Sequence, residues 1–551
     1  MKITEKKWFG FVILSVVVMA IMILCPPVFY LNDDVTMRSI LSGAYTGSPN
    51  GHAVYMKYPL TGVLAFLYSV AGFVPWMELF FGICILMCMW FFAGCFTSSL
   101  KGYILAVALY IPFVLYMHYT LVAALLAATA ILLLVKGDKG GKAWVLLLLA
   151  YLIRSQIGLL SLPFVACAWI WRSVSVSGKE RKTDAVYILK WCAGWIGAVL
   201  CCSLLHSICY SAPEWKEYLA YNDSRTLLYD YTDFLSVSTY QDNCEDYGMT
   251  DMEYTILYHY NNMLDSSMDA ERMEEIADKV SAGMKSEEGI IASLKNSIRQ
   301  YISQIRYNDA PYNYIWAIAV LVLVGCCVLS RRWIYLSIVG VLELGRSAVW
   351  IYFIREGRFP ERVSQSLYLL EIMLLIGMLI SLSGRLQWSE KRKNILSWAL
   401  AVLLILACVS RLRTTLAEIE YRNDVQQGWK ILKEYCAEQP ETLFLADVFS
   451  VVQYAENQYT RDSENIKLLG GWLSTSPLTQ EVFDEIGAAD AAEALYAGDG
   501  VKLLIRKDKD VSWMETYLQE RFGPCELRET AVIVLHDGED FAEYEVYPLS
   551  E

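Results

Sequence analysis

Long apolar runs, broken by short polar links, dominate this chain from its start to about residue 411. Stretches near 8–31, 75–97, 103–118, 120–135, 143–154, 157–171, 187–209, 312–330, 333–354, 364–383 and 394–411 are nearly free of charge. A helix needs roughly 20 apolar residues to cross a bilayer. In lipid only helices and closed barrels satisfy their own backbone, and these runs are too long for barrel strands. The pattern predicts a mainly α, polytopic helical membrane protein of about 11 spans. The 143–171 region also fits one broken re-entrant hairpin, and the apolar stretch 59–70 is too short to cross.

Beyond residue 412 the pattern changes. A helix is expected over 413–438. Short β-like runs follow at Leu443 to Val448, Val501 to Arg506, Ala531 to Leu535 and Tyr544 to Tyr547, alternating with helical segments. Strands interleaved with helices predict a small α/β domain. The domain division is therefore 1–412, including the hydrophilic loop 211–311, and 413–551.

Composition agrees with this picture. The chain has 551 residues, of which 56% are hydrophobic, and a net charge of −13. Lys2, Lys6 and Lys7 precede the first apolar run without a small-residue cleavage site after it, so the run reads as an uncleaved span rather than a signal peptide. Basic clusters at 136–142, 172–182, 331–332 and 385–393 all fall on the side of the N-terminus when eleven spans are threaded. Cytoplasmic loops carry the Lys/Arg excess. The expectation is a plasma-membrane protein with its N-terminus inside and its C-terminal domain outside. Residues 210–311 hold 19 acidic and 8 basic side chains, and so acidic an exterior argues against nucleic acid as a partner. Twelve of the 15 cysteines sit in apolar segments, where they behave as small hydrophobes. A bridge between Cys436 and Cys525 is left open.

Candidate chemistry begins at Asn32-Asp33-Asp34, just past the first apolar run. Two readings stand. Asn32 or Asp33 caps a short helix over 35–41, or the carboxylates serve as a general base or hold a hard cation, Mg2+ or Mn2+. Arg358 and Arg362, in the link between two spans, suit phosphate because a planar guanidinium grips oxygens in pairs. Glu343, Arg346 and Glu371 lie within spans. Intramembrane charge is functional by default, although Glu343 and Arg346, three apart on one helix, also suit mutual neutralisation. Arg154 stands where the chain is expected to reverse, with snorkelling or phosphate contact as its alternatives. Trp215, Asn222, Arg225, Asp230 and Tyr231 form a polar-aromatic group that suits sugar binding or an interfacial belt. His52 lies in the loop after the acidic pair, as a substrate contact or a structural residue.

The order of these features resembles the GT-C class of membrane glycosyltransferases. The features are one span, Asp33-Asp34, a short helix, a turn-rich stretch, Lys57-Tyr58-Pro59-Leu60, a half-length helix and a second span opening at Pro75-Trp76. The four-residue motif stands where that class carries His-Pro-Pro-Leu-like sequences, and it departs from them. Asp33-Asp34 with the 42–47 turn, Arg358-Phe359-Pro360-Glu361-Arg362 and Leu469-Gly470-Gly471-Trp472 are similar to an uncharacterised group of bacterial membrane proteins. The GT-C resemblance implies an inverting enzyme that moves a sugar from a polyprenyl-phosphate donor to an extracytoplasmic cell-envelope acceptor. Asp34 would be the base or metal ligand and Asp33 its partner. Arg358, Arg362, Arg154 and Arg346 would hold donor phosphate. His52, Lys57, Tyr58, Asn222 and Arg225 would contact substrate. A transporter or scaffold for envelope lipids or glycans is the alternative, disfavoured by the lack of an inverted repeat.

Overall fold

The computed structural model describes residues 3–96, 99–139, 141–176, 178–232, 234–235, 244–287, 290–385, 388–452, 463–498, 500–535 and 538–549. Residue 97, the expected end of the second span, and residues 140, 386 and 387, within two of the basic loops, lie outside the described residues.

Each of the eleven apolar stretches falls on helix. Among the described residues, eight helices are long and apolar enough to cross a membrane. The first helix, Ile3–Leu24, stops short of the expected residue 31. Pro26 and Pro27 explain the early end, because proline cannot donate the next helical hydrogen bond and excludes helical backbone before it. The chain instead enters a two-residue strand, β1 (Val28–Phe29), paired in parallel with β2 (Tyr116–Met117).

The Tyr119–Lys136 helix is the axis of the body, with 89% of its length buried. Its alanines 123, 124, 127, 128 and 130 are fully buried, and small residues let neighbouring helices approach closely. The Glu361–Ser383 helix packs along it. There a Cβ on Gly377 would stand 3.1 Å from Val135.

The broken hairpin read from 143–171 is present as a break. Lys142–Ile153 ends at Arg154, whose backbone is extended (φ −147°, ψ 100°), and Ser155–Leu160 and Leu162–Ser175 follow. A Cβ on Gly158 would meet the Tyr151 backbone at 2.8 Å, so the chain folds back tightly on itself at Arg154.

No helix break separates the last span from the tail. Glu390–Ala437 is one helix of 48 residues running through the expected boundary at 412. At 1.5 Å per residue it is roughly 70 Å long, more than twice the thickness of a bilayer's hydrocarbon core.

The tail carries a five-stranded sheet of order β4-β3-β5-β7-β6, built from β3 (Leu443–Ala446), β4 (Ile466–Leu468), β5 (Val501–Arg506), β6 (Cys525–Ile533) and β7 (Phe541–Pro548). The first three strands are parallel and the last two antiparallel. Alternation divides the side chains between two cores. Leu445, Leu503 and Ile505 pack under the Ala491–Ala497 and Ser512–Phe522 helices. Phe444, Ala446 and Leu504 pack against Trp429, Leu432 and Cys436 at the end of the long helix. Cys436 and Cys525 belong to these opposite faces, and both are free thiols.

The tail docks on the body through residues 469–473. Met263 N–H donates to the Leu469 carbonyl at 2.8 Å, and the Tyr218 hydroxyl to the Trp472 carbonyl at 2.8 Å. A Cβ on Gly470 would overlap the Tyr260 carbonyl oxygen. Asn261 adds a buried hydrogen bond to Asp447 at 2.8 Å.

Candidate functional site

The docking encloses a cavity of about 350 Å³. Its wall holds Asp33, Arg225, Asp230, Arg358 and Arg362 from the body, with Lys467 and Trp472 from the tail. Tyr45, Tyr55 and Tyr260 supply aromatic surface.

Both members of the acidic pair lie in the first turn of Asn32–Ser42, where a helix dipole favours negative charge. The capping expectation is corrected here. Leu31 occupies the N-cap position, and no side chain caps this helix. Successive helical residues point about 100° apart, so the pair divides. Asp33 lies on the cavity wall, and no hydrogen bond joins its carboxylate to any other described residue. Asp34 is fully buried away from the cavity. One of its oxygens accepts the Tyr119 N–H at 3.0 Å, at the start of the central helix. The other has no hydrogen-bond partner among the described residues and lies 3.7 Å from His118 Nδ1. That nitrogen accepts the Thr120 N–H, which leaves the ring proton on Nε2. Burial pushes the Asp33 carboxyl above the usual carboxylate range, against the pull of Arg362 and Arg154. Burial also holds Asp34 well above that range, despite the Tyr119 N–H.

The arginines differ sharply in their partners. Arg362, in the first turn of Glu361–Ser383, has no hydrogen bond or ion pair from its guanidinium among the described residues. Arg358 pairs with Asp230 at 2.6 Å and lies over the Tyr231 ring. Arg225 is buried and held by neutral acceptors: Asn222 at 3.0 Å, Tyr260 at 2.5 Å and Thr226 at 3.0 Å. Asn222 thus orients Arg225 and is not on the cavity wall. Arg154 stacks over Tyr55 and Tyr119 at 5.3 and 5.2 Å, with no ionic partner among the described residues. It is not on the wall, yet its charge acts on Asp33.

Arg346 lies elsewhere. It pairs with Glu371 at 2.6 Å, donates to the Tyr301 hydroxyl at 2.9 Å and sits between Trp316 and Trp350. The direct ion pair comes from Glu371 on the neighbouring helix, while Glu343 acts on Arg346 through its charge without an ion-pair contact among the described residues. His52, Lys57 and Tyr58 are also separate from the cavity. The His52 ring stacks on Trp215 at 4.3 Å and lies 3.1 Å from the Cys209 carbonyl. Tyr58 N–H donates to His206, and Lys57 lies over Tyr151. His52 and Tyr58 thus fasten the first loop to the Lys179–Cys209 helix, and Lys57 lies against the Lys142–Ile153 helix.

No family model matches the chain, and comparison with curated proteins and with solved structures finds no match.

The donor set fits a divalent cation poorly. Asp33 and Asp34 diverge, and Arg362, Arg154 and Arg225 surround the one carboxylate left free. Among the described residues no three His, Cys, Asp or Glu side chains gather as a metal group. What the cavity offers is one basic carboxylate facing several fixed cations. Tyr45, Tyr55, Tyr260 and Lys467 were not read from the sequence as site residues. The 42–47 turn, which holds Tyr45, and the 469–472 segment carried a signal, through the resemblance to the uncharacterised bacterial group.

Proposed function

We propose that this chain is an integral-membrane glycosyltransferase of the GT-C kind. It takes a sugar from a polyprenyl-phosphate donor and passes it to an extracytoplasmic hydroxyl. The observation that carries this reading is the cavity that Asp33 shares with Arg362, whose guanidinium has no partner among the described residues. The helices cross the bilayer with the N-terminus inside, so that the cavity and the C-terminal sheet lie outside.

In this reading Asp33, rather than Asp34, is the general base. Its carboxylate takes the proton of the acceptor hydroxyl as that oxygen attacks the anomeric carbon. The bond from that carbon to the phosphate oxygen breaks, and the phosphate leaves with the bonding electrons. Arg362 and Arg225 face the charge that develops there. Preorganised cations are worth most in such a water-poor site. Asp34 acts at a distance, by tying the start of the central helix to the helix that carries Asp33. Attack opposite the leaving phosphate inverts the anomeric centre.

The test uses purified protein in lipid nanodiscs with a panel of polyprenyl-phosphate sugars, following release of polyprenyl phosphate. Asp33→Asn should bind donor and fail to turn it over, while Arg362→Ala should lose donor affinity. Equal turnover by Asp33→Asn and the wild type would remove Asp33 as base and end the assignment.

A further inference from the structure

The cavity holds more positive charge than one phosphodiester needs. Among the described residues its wall carries four cations, Arg225, Arg358, Arg362 and Lys467, against two carboxylates, Asp33 and Asp230. Arg358 and Asp230 neutralise each other at 2.6 Å. Among the described residues of the wall, three cations are then left with Asp33 as the one unpaired carboxylate, in a chain whose net charge is −13. A donor bearing a single negative phosphate, as in the reading above, leaves this excess unbalanced.

Lys467 is the cation that reading does not use. It lies at the middle of β4, the edge strand of the C-terminal sheet, and is only 4% exposed. Its ammonium lies over the Tyr45 ring at 4.8 Å and gives one hydrogen bond, to the Glu464 carbonyl at 2.8 Å. An ammonium has three donors, so two are unused among the described residues. Tyr45 is itself fixed, its hydroxyl 2.8 Å from Thr479 Oγ1. Burial lowers the Lys467 ammonium to about 8, with Glu464 and Glu485 acting the other way, so it stays mostly protonated at neutral pH. Inward charges on edge strands also serve to block strand addition. That role requires neither a ligand cavity nor free donors.

We propose that Lys467 over Tyr45 forms a second anion subsite in the cavity, so that the bound reactants carry two anionic groups. One is the donor phosphate at Arg362. The other is a phosphate or carboxylate at Lys467, either the second phosphate of a diphosphate donor or an acidic group on the acceptor. The inference deepens the glycosyltransferase reading and rests on it for the first anion only.

The experiment is titration calorimetry of the full-length chain in nanodiscs with farnesyl phosphate, farnesyl diphosphate and inorganic phosphate. If the second anion belongs to the donor, farnesyl diphosphate binds about tenfold or more tighter than farnesyl phosphate. If it belongs to the acceptor, inorganic phosphate binds the chain already loaded with farnesyl phosphate. In either case Lys467→Met abolishes the gain and leaves farnesyl phosphate affinity unchanged, while Lys467→Arg retains it. Where farnesyl phosphate binds, neither gain in the wild type, or a gain that survives in Lys467→Met, overturns the proposal and leaves the edge-strand role. Phosphate protection of Lys467 from reductive methylation, read by mass spectrometry on the wild-type chain, decides the matter if the variants do not fold. The two readings fail separately. If farnesyl phosphate does not bind at all, yet inorganic phosphate protects Lys467, the donor assignment falls and the subsite stands.

Discussion

Arg346 and Arg362 lie on neighbouring helices, both offered by the sequence as phosphate ligands, yet their surroundings are opposite. Arg346 is charge-paired and walled in, although its Nη2 is buried with no hydrogen-bond partner among the described residues. One carboxylate, one hydroxyl and two indole faces enclose it. Arg362 stands on a cavity wall with no partner among the described residues. The difference shows that burial of a charge does not mark a ligand site. Spare hydrogen-bonding capacity beside an open volume does. An arginine paired and enclosed by rings serves the fold even with one nitrogen unsatisfied, and one that faces an open volume is placed to meet a ligand.

The comparison breaks most severely at Arg346. Removing one member of a buried ion pair strands the other and costs about 3–5 kcal/mol. Arg346→Ala should therefore unfold or destabilise the chain, with Glu371 left unpaired, as read by thermal melts in detergent. Arg362→Ala should change the melting temperature little, since its guanidinium makes no hydrogen bond or ion pair among the described residues. If Arg346→Ala melts like the wild type, the distinction between the two arginines fails.

Asp33 sharpens the same contrast from the acidic side. Loss of a general base costs roughly 10²–10⁴ in rate, so Asp33→Asn should nearly silence turnover. Its stability should hold or rise. The folded pKa of Asp33 is raised, so its stabilising contribution is fully present below the unfolded pKa and is lost as pH rises through the folded one. An amide escapes that loss at neutral pH. Turnover needs the ionised form, so activity should fall as pH drops through the raised pKa. The acid limb of the rate profile should lie above the ordinary value of about 3.9. A limb at or below that value contradicts the burial argument.

Asp34 is expected to answer to shape rather than charge. Asp34→Asn keeps an oxygen for the Tyr119 N–H and should fold and turn over near the wild-type level. Asp34→Ala strands a buried N–H and should cost about 1–3 kcal/mol. Melting curves and turnover of the two variants, taken together, check this. Abolished turnover in a well-folded Asp34→Asn would return the base role to Asp34.

Local pattern made part of this legible. The apolar runs located the helices because length and hydropathy need no distant partner. Asp33, Arg358 and Arg362 could be named because each is a costly residue next to an apolar segment. The division between Asp33 and Asp34 was hidden, since it depends on the Tyr119 N–H, 85 residues away. The division between Arg346 and Arg362 was hidden likewise, since Glu371 and Tyr301 are 25 and 45 residues from Arg346. Lys467 left no trace at all. Its strand is three residues long with a charge at the centre, too short for an alternating pattern to register. The first span was read too long because Pro26 and Pro27 are apolar by composition while ending a helix by geometry.

The smallest expected effect belongs to Arg358, which the sequence places on equal terms with Arg362. Its guanidinium is already paired with Asp230, and both side chains are partly open to solvent, at 26% and 30% exposure. Such pairs contribute roughly 0–1 kcal/mol, so Arg358→Ala should leave the melting temperature nearly unchanged. A phosphate has no spare charge to meet there unless Asp230 moves. Turnover should therefore fall only a few-fold, far less than in Arg362→Ala. The double variant Arg358→Ala/Asp230→Ala gives the sharper measurement, because it removes a neutral unit and keeps the cavity's excess positive charge. Its donor affinity should match that of the wild type. A loss as large as that of Arg362→Ala would show that Arg358 leaves Asp230 when donor binds, and the two arginines would then form one phosphate grip.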